Sequence, residues 1–271
     1  MPKIEPLNQD LKQLEGLHLW HAAMSSCSQR VRIVLAEMEK EFTSHPVALE
    51  HNEHADPAYQ QIHPQGLVPA FVEDGELFIE SIDIIQKIAG SESGLGAVSD
   101  DSLLQMADEA QADLKLMTYE FLFRGGPKPS PEKVKKFEAD HHNDTLKQFK
   151  RDFAAGFGKE RIDAGVNRTA EGFEVLEERL SDGRTFLEGE TFTLSDVAWM
   201  PNVHRFGLMD WPFERTPLVQ AWFKRGSARP SYKAGLADWE VQQAVGGFRQ
   251  HTKDRQAAGT DISTFGKLGA S

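Results

Sequence analysis

The stretch that decides the fold is "GLVPAFVEDGELFIESIDII", which runs from Gly66 to Ile85. It places two short apolar runs on either side of Asp74-Gly75, a dipeptide typical of two-residue hairpin turns. From Ser81 onward, apolar residues recur at the three-and-four spacing of one helical face. The stretch therefore predicts a β-hairpin that leads directly into a helix, with Pro69 at the start of the first strand.

The residues before the hairpin alternate strand-like and helix-like patterns. A strand is predicted over Leu17 to Ala22, then a helix, then a second strand over Phe42 to Leu49. Pro46 predicts an edge position or a bulge for this second strand, because proline cannot donate to a strand ladder. The polar stretch that follows predicts an irregular or helical crossover, so this half of the chain belongs to the α/β class.

The residues after the hairpin indicate a second, all-α domain. The Gly- and Ser-rich segment "GSESGLGAVSD" has no usable period and predicts a linker. Helices are predicted over Ser102 to Phe123, Pro131 to Phe157, Ala164 to Ser181, Thr193 to Met209, Pro217 to Arg225 and Ser231 to Val245. The predicted organisation is an N-terminal extension (1–16), an α/β domain (17–90), a linker (91–101), an all-α domain (102–245) and a tail (246–271). We expect the tail to be loosely packed or to wrap the helical domain.

The segment "FTLSDVAW" predicts a helix start within the all-α domain. Thr193 is the candidate N-cap, and Asp196 stands where a capping-box carboxylate bonds back to the cap amide. Phe192 and Val197 occupy the positions of a hydrophobic staple. The motif is interpreted as structural rather than catalytic.

The composition of the chain argues against several classes of protein, including nucleic-acid-binding and membrane proteins. The chain has 271 residues, 39% of them hydrophobic, and a net charge of −12 that argues against general nucleic-acid binding. The basic run Lys128 to Lys136 is interpreted as a solvated loop and helix start. No apolar run has the length of a membrane span, no secretory signal is recognised, and the single cysteine excludes an intrachain disulfide. A cytoplasmic location is therefore expected.

The candidate chemistry lies in "AMSSCSQRVRIVLAEM", Ala23 to Met38. Ser25 and Ser26 stand at a helix start, where free backbone amides and the helix dipole favour an anion. They could donate a hydrogen bond to a thiolate, or they could only cap the helix. Cys27 could be an acidified, reactive thiol or a buried, inert one, and both interpretations remain open.

Other polar groups in the sequence also allow a structural or a functional interpretation. Pro69 follows Val68 and could form a cis bond that turns the Val68 backbone outward, or an ordinary trans bond. Ser81, after Glu80, could cap its helix or join a site for a carboxylate. A metal site is not expected, since no recognised ligand spacing connects the histidines, which are interpreted as surface residues of a polar loop: His45, His51, His54 and His63.

Taken in order, these motifs resemble the glutathione transferase superfamily over Leu17 to Trp239. "SSCSQRVRIVL" is similar to the active-site segment of the zeta class, shared by maleylacetoacetate isomerases and tetrachlorohydroquinone reductive dehalogenases. "LSDVAWMPNVHRFGLMDWPF" and "ARPSY" resemble the dehalogenase-like branch. The resemblance implies a thioredoxin-like N-terminal domain that binds glutathione, and a helical domain that forms most of a hydrophobic substrate pocket.

The resemblance also implies roles for individual residues. Ser25, with Ser26 beside it, matches the hydroxyl that holds the glutathione thiolate. Cys27 matches the cysteine that lies near the sulfur in isomerases and forms a mixed disulfide with glutathione in dehalogenases. Gln29 departs from the family, since many relatives have tryptophan at that position.

The remaining glutathione contacts are implied for the hairpin region. Val68 matches the residue whose backbone pairs with the cysteinyl part of glutathione, and Pro69 matches the cis-proline. Glu80 and Ser81 match the pair that binds the γ-glutamyl end. For the glycine carboxylate, His54 and Gln65 are the candidates.

Three functions follow from the resemblance. The first is a glutathione transferase that attacks an electrophilic carbon of an apolar, aromatic substrate and displaces a leaving group, such as an aryl oxide or a halide. The second keeps glutathione but uses Cys27 for reductive dehalogenation or cis-trans isomerisation. The third is a non-catalytic binding protein or heterodimer partner. A dimer is expected, either of two identical chains or with a related chain.

Overall fold

The amino-terminal half of the chain is built on a five-stranded mixed sheet. The computed structural model describes residues 3–91, 93–98 and 101–270, so residues 1, 2, 92, 99, 100 and 271 of the predicted extension, linker and tail lie outside the described residues. The strands are β1 (Lys3–Ile4), β2 (Leu17–His21), β3 (Thr43–Pro46), β4 (Ala70–Glu73) and β5 (Glu76–Ile79). Their order is β1-β5-β4-β2-β3, in which β2 and β3 are parallel and the other neighbours antiparallel. The strand that contains Pro46 lies at an edge, as predicted.

The β4–β5 hairpin confirms the prediction from the deciding stretch. Asp74 and Gly75 have φ angles of 47° and 81°, and two positive φ angles are what a two-residue type I′ turn requires. A Cβ atom on Gly75 would lie 2.6 Å from the carbonyl oxygen of Lys12. Glycine is therefore required here both for its backbone conformation and for the close approach of the preceding segment.

Three helices complete this half: α1 (Ser26–Glu37), α2 (Pro57–Gln60) and α3 (Ser81–Ala89). The residues before Leu17 were predicted as an extension outside the α/β domain, and this boundary is wrong for the residues that the structure describes. β1 pairs antiparallel with β5, and Leu11 is only 3% exposed in a small cluster beneath the sheet. The segment is too short and too polar to show strand periodicity, so its sequence carried no signal of this pairing.

The carboxy-terminal half is helical. Its helices are α4 (Ser102–Met117), α5 (Pro131–Asp140), α6 (Asp144–Ala155), α7 (Lys159–Leu180), α8 (Leu194–Gly207), α9 (Pro217–Ser227), α10 (Pro230–Gly235), α11 (Gln242–Ala257) and α12 (Gly266–Gly269). A π-helical turn follows α4, over Thr118–Phe123. Helix α4 packs against α7 and α8, and α8 also packs against α1, so the two halves share one large core.

Two predicted long helices are in fact interrupted. The helix predicted over Pro131 to Phe157 is split into α5 and α6, because the Asn143 side chain accepts from the Leu146 amide at 2.9 Å and caps a new helix. The helix predicted over Ser231 to Val245 is broken at Leu236, which is fully buried outside helical backbone geometry. Helical periodicity continues across such short breaks, so it could not reveal them.

The tail is packed rather than loose. Helix α12 lies against α7, the Gly266 amide donates to the Asp163 carboxylate at 2.8 Å, and the Lys267 amide donates to Asn167 at 2.7 Å. Of the two expectations for the tail, wrapping of the helical domain is confirmed and loose packing is wrong.

Two buried arginines on α1 connect the halves of the molecule. Arg30 is fully buried, and its guanidinium donates to the carbonyls of Ala198 at 3.0 Å and Ala107 at 2.6 Å. Arg32 donates to the Gly235 carbonyl at 2.8 Å and to the Ala23 carbonyl at 2.7 Å. Since Ala23 belongs to the loop before α1, these contacts fix the segment that carries Ser25 against the helical half.

Arg32 also determines the tautomer of the buried His21 and helps to keep its ring neutral. An arginine donates only, so the 2.9 Å contact from Arg32 makes Nδ1 of His21 an acceptor and places the ring proton on Nε2, which contacts the Ser44 hydroxyl at 2.8 Å. Burial, reinforced by the charge of Arg32 and by His45, lowers the pKa of His21 to about 4. The histidine is therefore neutral in the folded protein at pH values near neutrality.

This depressed pKa predicts an acid-dependent loss of stability. The unfolded chain takes up a proton on His21 below about pH 6.5 and the folded chain does not, so the stabilisation is complete above pH 6.5 and declines as the pH falls toward 4. Between pH 7 and pH 5 we expect this residue to account for a loss of about 2 kcal/mol in the free energy of unfolding. Urea denaturation of the wild type and of His21→Gln at both pH values measures the difference; an equal pH dependence in the two proteins would contradict it.

Candidate active site

A cavity of about 1080 Å³ lies between the start of α1, the loop before β4 and helices α4 and α6. The predicted site residues that line it are Ser25, Ser26, Cys27, His54 and Val68. The other predicted site residues are not part of the cavity lining: Gln65, Pro69, Glu80 and Ser81. The structure thus brings the predicted hydroxyls, the thiol and the backbone before Pro69 to one space between the two halves.

Ser25 and Ser26 differ in what their hydroxyl protons contact. Ser25 is the N-cap of α1, and its oxygen accepts from the Ser28 amide at 3.3 Å. Within the described chain, its own proton has no acceptor, and the side chain faces the cavity. The Ser26 hydroxyl donates to Oε1 of Gln111 at 2.6 Å. Ser25 therefore caps the helix and retains a free donor at the amino end of its dipole.

Gln111 on α4 is a site residue that sequence analysis missed. Its Oε1 accepts from Ser26 and lies 3.6 Å from the Cys27 sulfur, while its Nε2 donates to Oδ1 of Asn202 at 2.5 Å. Asn202 on α8 therefore holds the side-chain amide of Gln111, which orients the side chains of Ser26 and Cys27. A glutamine in an amphipathic helix carries no sequence signal that separates it from an ordinary surface residue.

The loop before β4 has the predicted cis geometry. The Val68-Pro69 bond is cis, and Val68 lines the cavity. The Tyr59 hydroxyl donates to the Leu67 carbonyl at 2.6 Å and holds the loop from beneath. The backbone of Val68 is thus presented at the cavity wall on a fixed support.

Glu80 and Ser81 lie at the junction of β5 and α3, next to Arg30. Glu80 has a φ of 67°, a conformation that non-glycine residues rarely adopt. The Ser81 hydroxyl is buried and accepts from Nη1 of Arg30 at 3.1 Å. Partial desolvation, together with the charges of Asp108 and Asp83, raises the pKa of Glu80. These three carboxylates form an acidic corner, in which Asp108 is paired with Arg30 at 3.3 Å.

The interpretation of the loop histidines as surface residues is wrong for two of them. His54 is 6% exposed and His63 is 2% exposed. Burial, with smaller contributions from Lys150, His141 and Lys115, lowers the pKa of His54 to about 3. Its Nδ1 is buried without a hydrogen-bond partner in the described structure. Gln65, the alternative candidate, is exposed and outside the cavity lining.

The cavity wall on the helical side carries further groups that the sequence did not single out. Arg205 on α8 is buried and donates to the carbonyl of Met24, which fixes the residue before Ser25. Lys115 on α4 and Lys150 on α6 also line the cavity. Leu116, Tyr119 and Phe149 complete this wall, and Leu49 and Leu67 line the opposite side of the cavity from the amino-terminal half.

The described residues contain no cluster of three or more histidine, cysteine or acidic side chains that could hold a metal ion. Nor does any helix among residues 3–91, 93–98 and 101–270 combine the length and apolar character needed to cross a bilayer.

Comparison with known proteins places both halves of the chain. Residues 24–90 match the N-terminal domain of glutathione S-transferases, and residues 159–225 match the C-terminal domain. Glutathione S-transferase TCHQD of Arabidopsis thaliana is 26% identical over 240 residues, 80% of this chain and 88% of the relative. A maleylacetoacetate isomerase of Pseudomonas aeruginosa is 39% identical over 93 residues, 33% of this chain and 44% of the relative.

The fold has its counterpart in solved structures. The β-etherase LigF of Sphingobium sp. strain SYK-6 superimposes with a TM-score of 0.70 at 21% identity, over 81% of this chain and 98% of that one. The thioredoxin-like domain and the all-α domain inferred from the sequence are thus the glutathione transferase architecture, confirmed by the domain matches and by the fold. Members of this family use glutathione as a cosubstrate. The chain belongs to the glutathione S-transferase superfamily.

Proposed function

We propose that this protein is a glutathione transferase that attacks an electrophilic carbon of an aromatic substrate and displaces a leaving group. The observation that carries the proposal is the free hydroxyl donor of Ser25 at the start of α1, facing a cavity with an aromatic wall. A hydroxyl donor and a helix amino terminus both favour the ionised form of a thiol. Binding both reactants in one cavity supplies the proximity that accelerates such a transfer.

Glutathione is proposed to lie along the thioredoxin-like side of the cavity. The backbone of Val68, exposed by the cis bond, pairs with the cysteinyl part and directs its sulfur toward Ser25. The acidic corner of Glu80, Asp83 and Asp108 attracts the ammonium of the γ-glutamyl end, and the Ser81 hydroxyl can donate to its carboxylate. His54 is preferred to Gln65 for the glycine end, because His54 lines the cavity and Gln65 does not.

Relatives supply candidate leaving groups. LigF is described as a β-etherase, which suggests an aryl oxide. Halide is the alternative, suggested by the dehalogenase-like motifs of the helical half. A panel of β-aryl ethers and haloaromatics, assayed for glutathione-dependent release with wild type and Ser25→Ala, tests the proposal. Release that depends on both glutathione and Ser25 supports it, whereas turnover that is unchanged in Ser25→Ala removes Ser25 from its role.

A reductive reaction through Cys27 is the second candidate, because the thiol lines the cavity beside Ser26 and lies 3.6 Å from Gln111. In that reaction the carbon–halogen bond of the substrate would be reduced to a carbon–hydrogen bond with loss of halide, while Cys27 and glutathione are oxidised to a mixed disulfide. A second glutathione would then attack the mixed disulfide, restore the Cys27 thiol and release oxidised glutathione. We expect Cys27→Ala to retain most of the transfer activity, within about threefold, because an attack by the glutathione sulfur needs no protein thiol.

Mass spectrometry during turnover separates the two reactions. Transfer predicts a thioether product and no glutathione adduct on Cys27. An adduct that appears and disappears with substrate, together with oxidised glutathione as product and inactive Cys27→Ala, would contradict transfer and establish the reductive reaction.

The cellular location and the oligomeric state stay predictions: we expect a cytoplasmic location and a dimer. Light scattering of the purified chain tests whether it pairs with itself, and a monomer would favour a related chain as its partner.

A further inference from the structure

The charge of the cavity is opposite to the charge of the chain. The protein carries a net charge of −12. The cavity lining nevertheless contains six cationic side chains: Lys115, Lys150, Arg151, Arg161, Arg168 and Arg205. It contains three acidic ones: Asp113, Asp144 and Asp152. Such a reversal requires a local explanation.

Ion pairs account for most of these groups. Arg168 pairs with Asp113 at 2.6 Å, Arg161 with Asp152 at 2.7 Å, and Arg151 with Glu138. The carboxylate of Asp144 is taken by Lys147 at 2.7 Å. The guanidinium of Arg205 donates to the Met24 carbonyl. Lys115 and Lys150 are left, and neither has a carboxylate within ion-pair distance among the residues that the structure describes.

The two lysines are held over aromatic rings rather than in solvent. Nζ of Lys115 lies 4.5 Å from the centre of the Phe149 ring. Nζ of Lys150 lies 3.4 Å from the centre of the Phe137 ring and donates to Oδ1 of Asn52 at 3.1 Å. Burial lowers the pKa of each lysine to about 8, and the charge of Lys115 contributes to the lowering at Lys150. Two like charges in a half-buried site are unfavourable until an anion joins them.

The position of Lys115 relates this pair to the reacting sulfur. Lys115 follows Gln111 by four residues on α4, so both project from the same face of the helix. Gln111 is the residue that contacts Ser26 and Cys27. Tyr119, four residues further on, also lines the cavity, and its ring packs edge-on against Phe149 at 4.9 Å between ring centres. An aromatic substrate on this face would place its ring near Tyr119 and a substituent near the lysines.

We propose that Lys115 and Lys150 form an anion-binding site in the helical wall of the cavity, and that the second substrate carries a carboxylate or phenolate on its aromatic portion. This inference rests on the proposed function, because it names the substrate class of the same cavity. It adds an anionic group to the apolar, aromatic electrophile that the resemblance implied.

The experiment uses a matched pair of substrates with the full-length protein. One is a chloronitrobenzoate with chlorine para to the carboxylate and ortho to the nitro group, and the other is the corresponding amide. Glutathione displaces chlorine from both: the C–Cl bond breaks, the C–S bond forms, chloride leaves and the thiol proton goes to solvent. Each kcat/KM is divided by the uncatalysed rate, so that the difference in intrinsic reactivity cancels.

We expect the wild type to prefer the carboxylate by about tenfold, the effect of one or two charge-assisted hydrogen bonds in a half-buried site. The preference falls to about one when Lys115→Met and Lys150→Met are combined. The control is Lys136→Met, which removes the same charge from an exposed residue that is paired with Asp140 outside the cavity. This control retains the tenfold preference.

Three results would overturn the inference. One is a wild type that does not distinguish the two substrates. Another is a double variant that keeps the preference but has a raised KM for glutathione, which would assign the lysines to a glutathione carboxylate. If neither substrate turns over, the proposed function has failed for this reaction, and the inference is tested by binding alone. Quenching of tryptophan fluorescence must then show that the wild type binds the benzoate more tightly than the amide and that the double variant has lost this difference. Equal binding of the two compounds by the wild type would overturn the inference.

Discussion

Replacing Ser25 by alanine is expected to reduce glutathione-dependent turnover by about 10- to 100-fold, the effect of losing one hydrogen bond to a developing or full negative charge. Of the two serines that line the cavity at the α1 start, Ser25 is the one whose hydroxyl proton has no acceptor within the described chain. Ser26 is already committed to Gln111, so Ser26→Ala should cost less than Ser25→Ala. Steady-state kinetics with saturating glutathione measures both variants.

The control for Ser25 must separate chemistry from helix capping. Ser130 caps α5 with the same geometry, accepting from the Lys133 amide at 3.3 Å, and does not line the cavity. Loss of either cap should destabilise the protein by about 0.5 to 2 kcal/mol. Ser130→Ala should therefore match Ser25→Ala in stability while retaining turnover. Equal turnover in the two variants would show that Ser25 acts only as a cap.

The largest loss of stability is expected from Asp196→Ala. This carboxylate is fully buried and accepts from the Leu187 amide at 2.9 Å, the Thr193 amide at 2.8 Å and the Trp222 indole at 2.7 Å. Alanine would leave these three buried N–H donors without an acceptor, at a cost of about 3 to 5 kcal/mol in the free energy of unfolding. Urea denaturation at pH 7 measures the loss.

A graded series sharpens this second prediction. Asp196→Asn keeps one acceptor oxygen and should lose less than Asp196→Ala. Glu190→Ala, at an exposed neighbour that contacts the Thr185 hydroxyl, should cost less than about 0.5 kcal/mol. A loss below about 1 kcal/mol for Asp196→Ala would mean that water satisfies the three donors and that the capping box is not essential.

Local sequence patterns were sufficient to predict the elements that depend only on neighbouring residues. The Asp74-Gly75 turn, the capping box at Thr193 and the serine cap of α1 depend on neighbouring residues, and the structure has all three. Breaks within a continuing helical period, such as the one at Asn143, were not predictable in this way, because a single capping side chain decides them.

Contacts between distant segments were not predictable from the sequence. Arg30 and Arg32 are buried, although arginines are usually exposed. Their burial depends on carbonyls from α4, α8 and α10 that meet only in the folded chain. The role of Gln111 likewise depends on partners that only the folded chain brings together. Lys115 and Lys150 stand out because no carboxylate of the described residues lies within ion-pair distance of them. The hydroxyls, the thiol and the cis-proline strand could be nominated from the sequence, but the wall that faces them could not.

The central claim is that the cavity binds glutathione as a thiolate through Ser25. The most direct measurement is the ultraviolet thiolate absorbance of bound glutathione, titrated against pH in the wild type and in Ser25→Ala. For the wild type we predict an inflection at least about one pH unit below the value near 8.5 of an unperturbed thiol, shifted back toward that value in Ser25→Ala. An inflection at the unperturbed value in the wild type, or one that Ser25→Ala leaves unmoved, would contradict the claim.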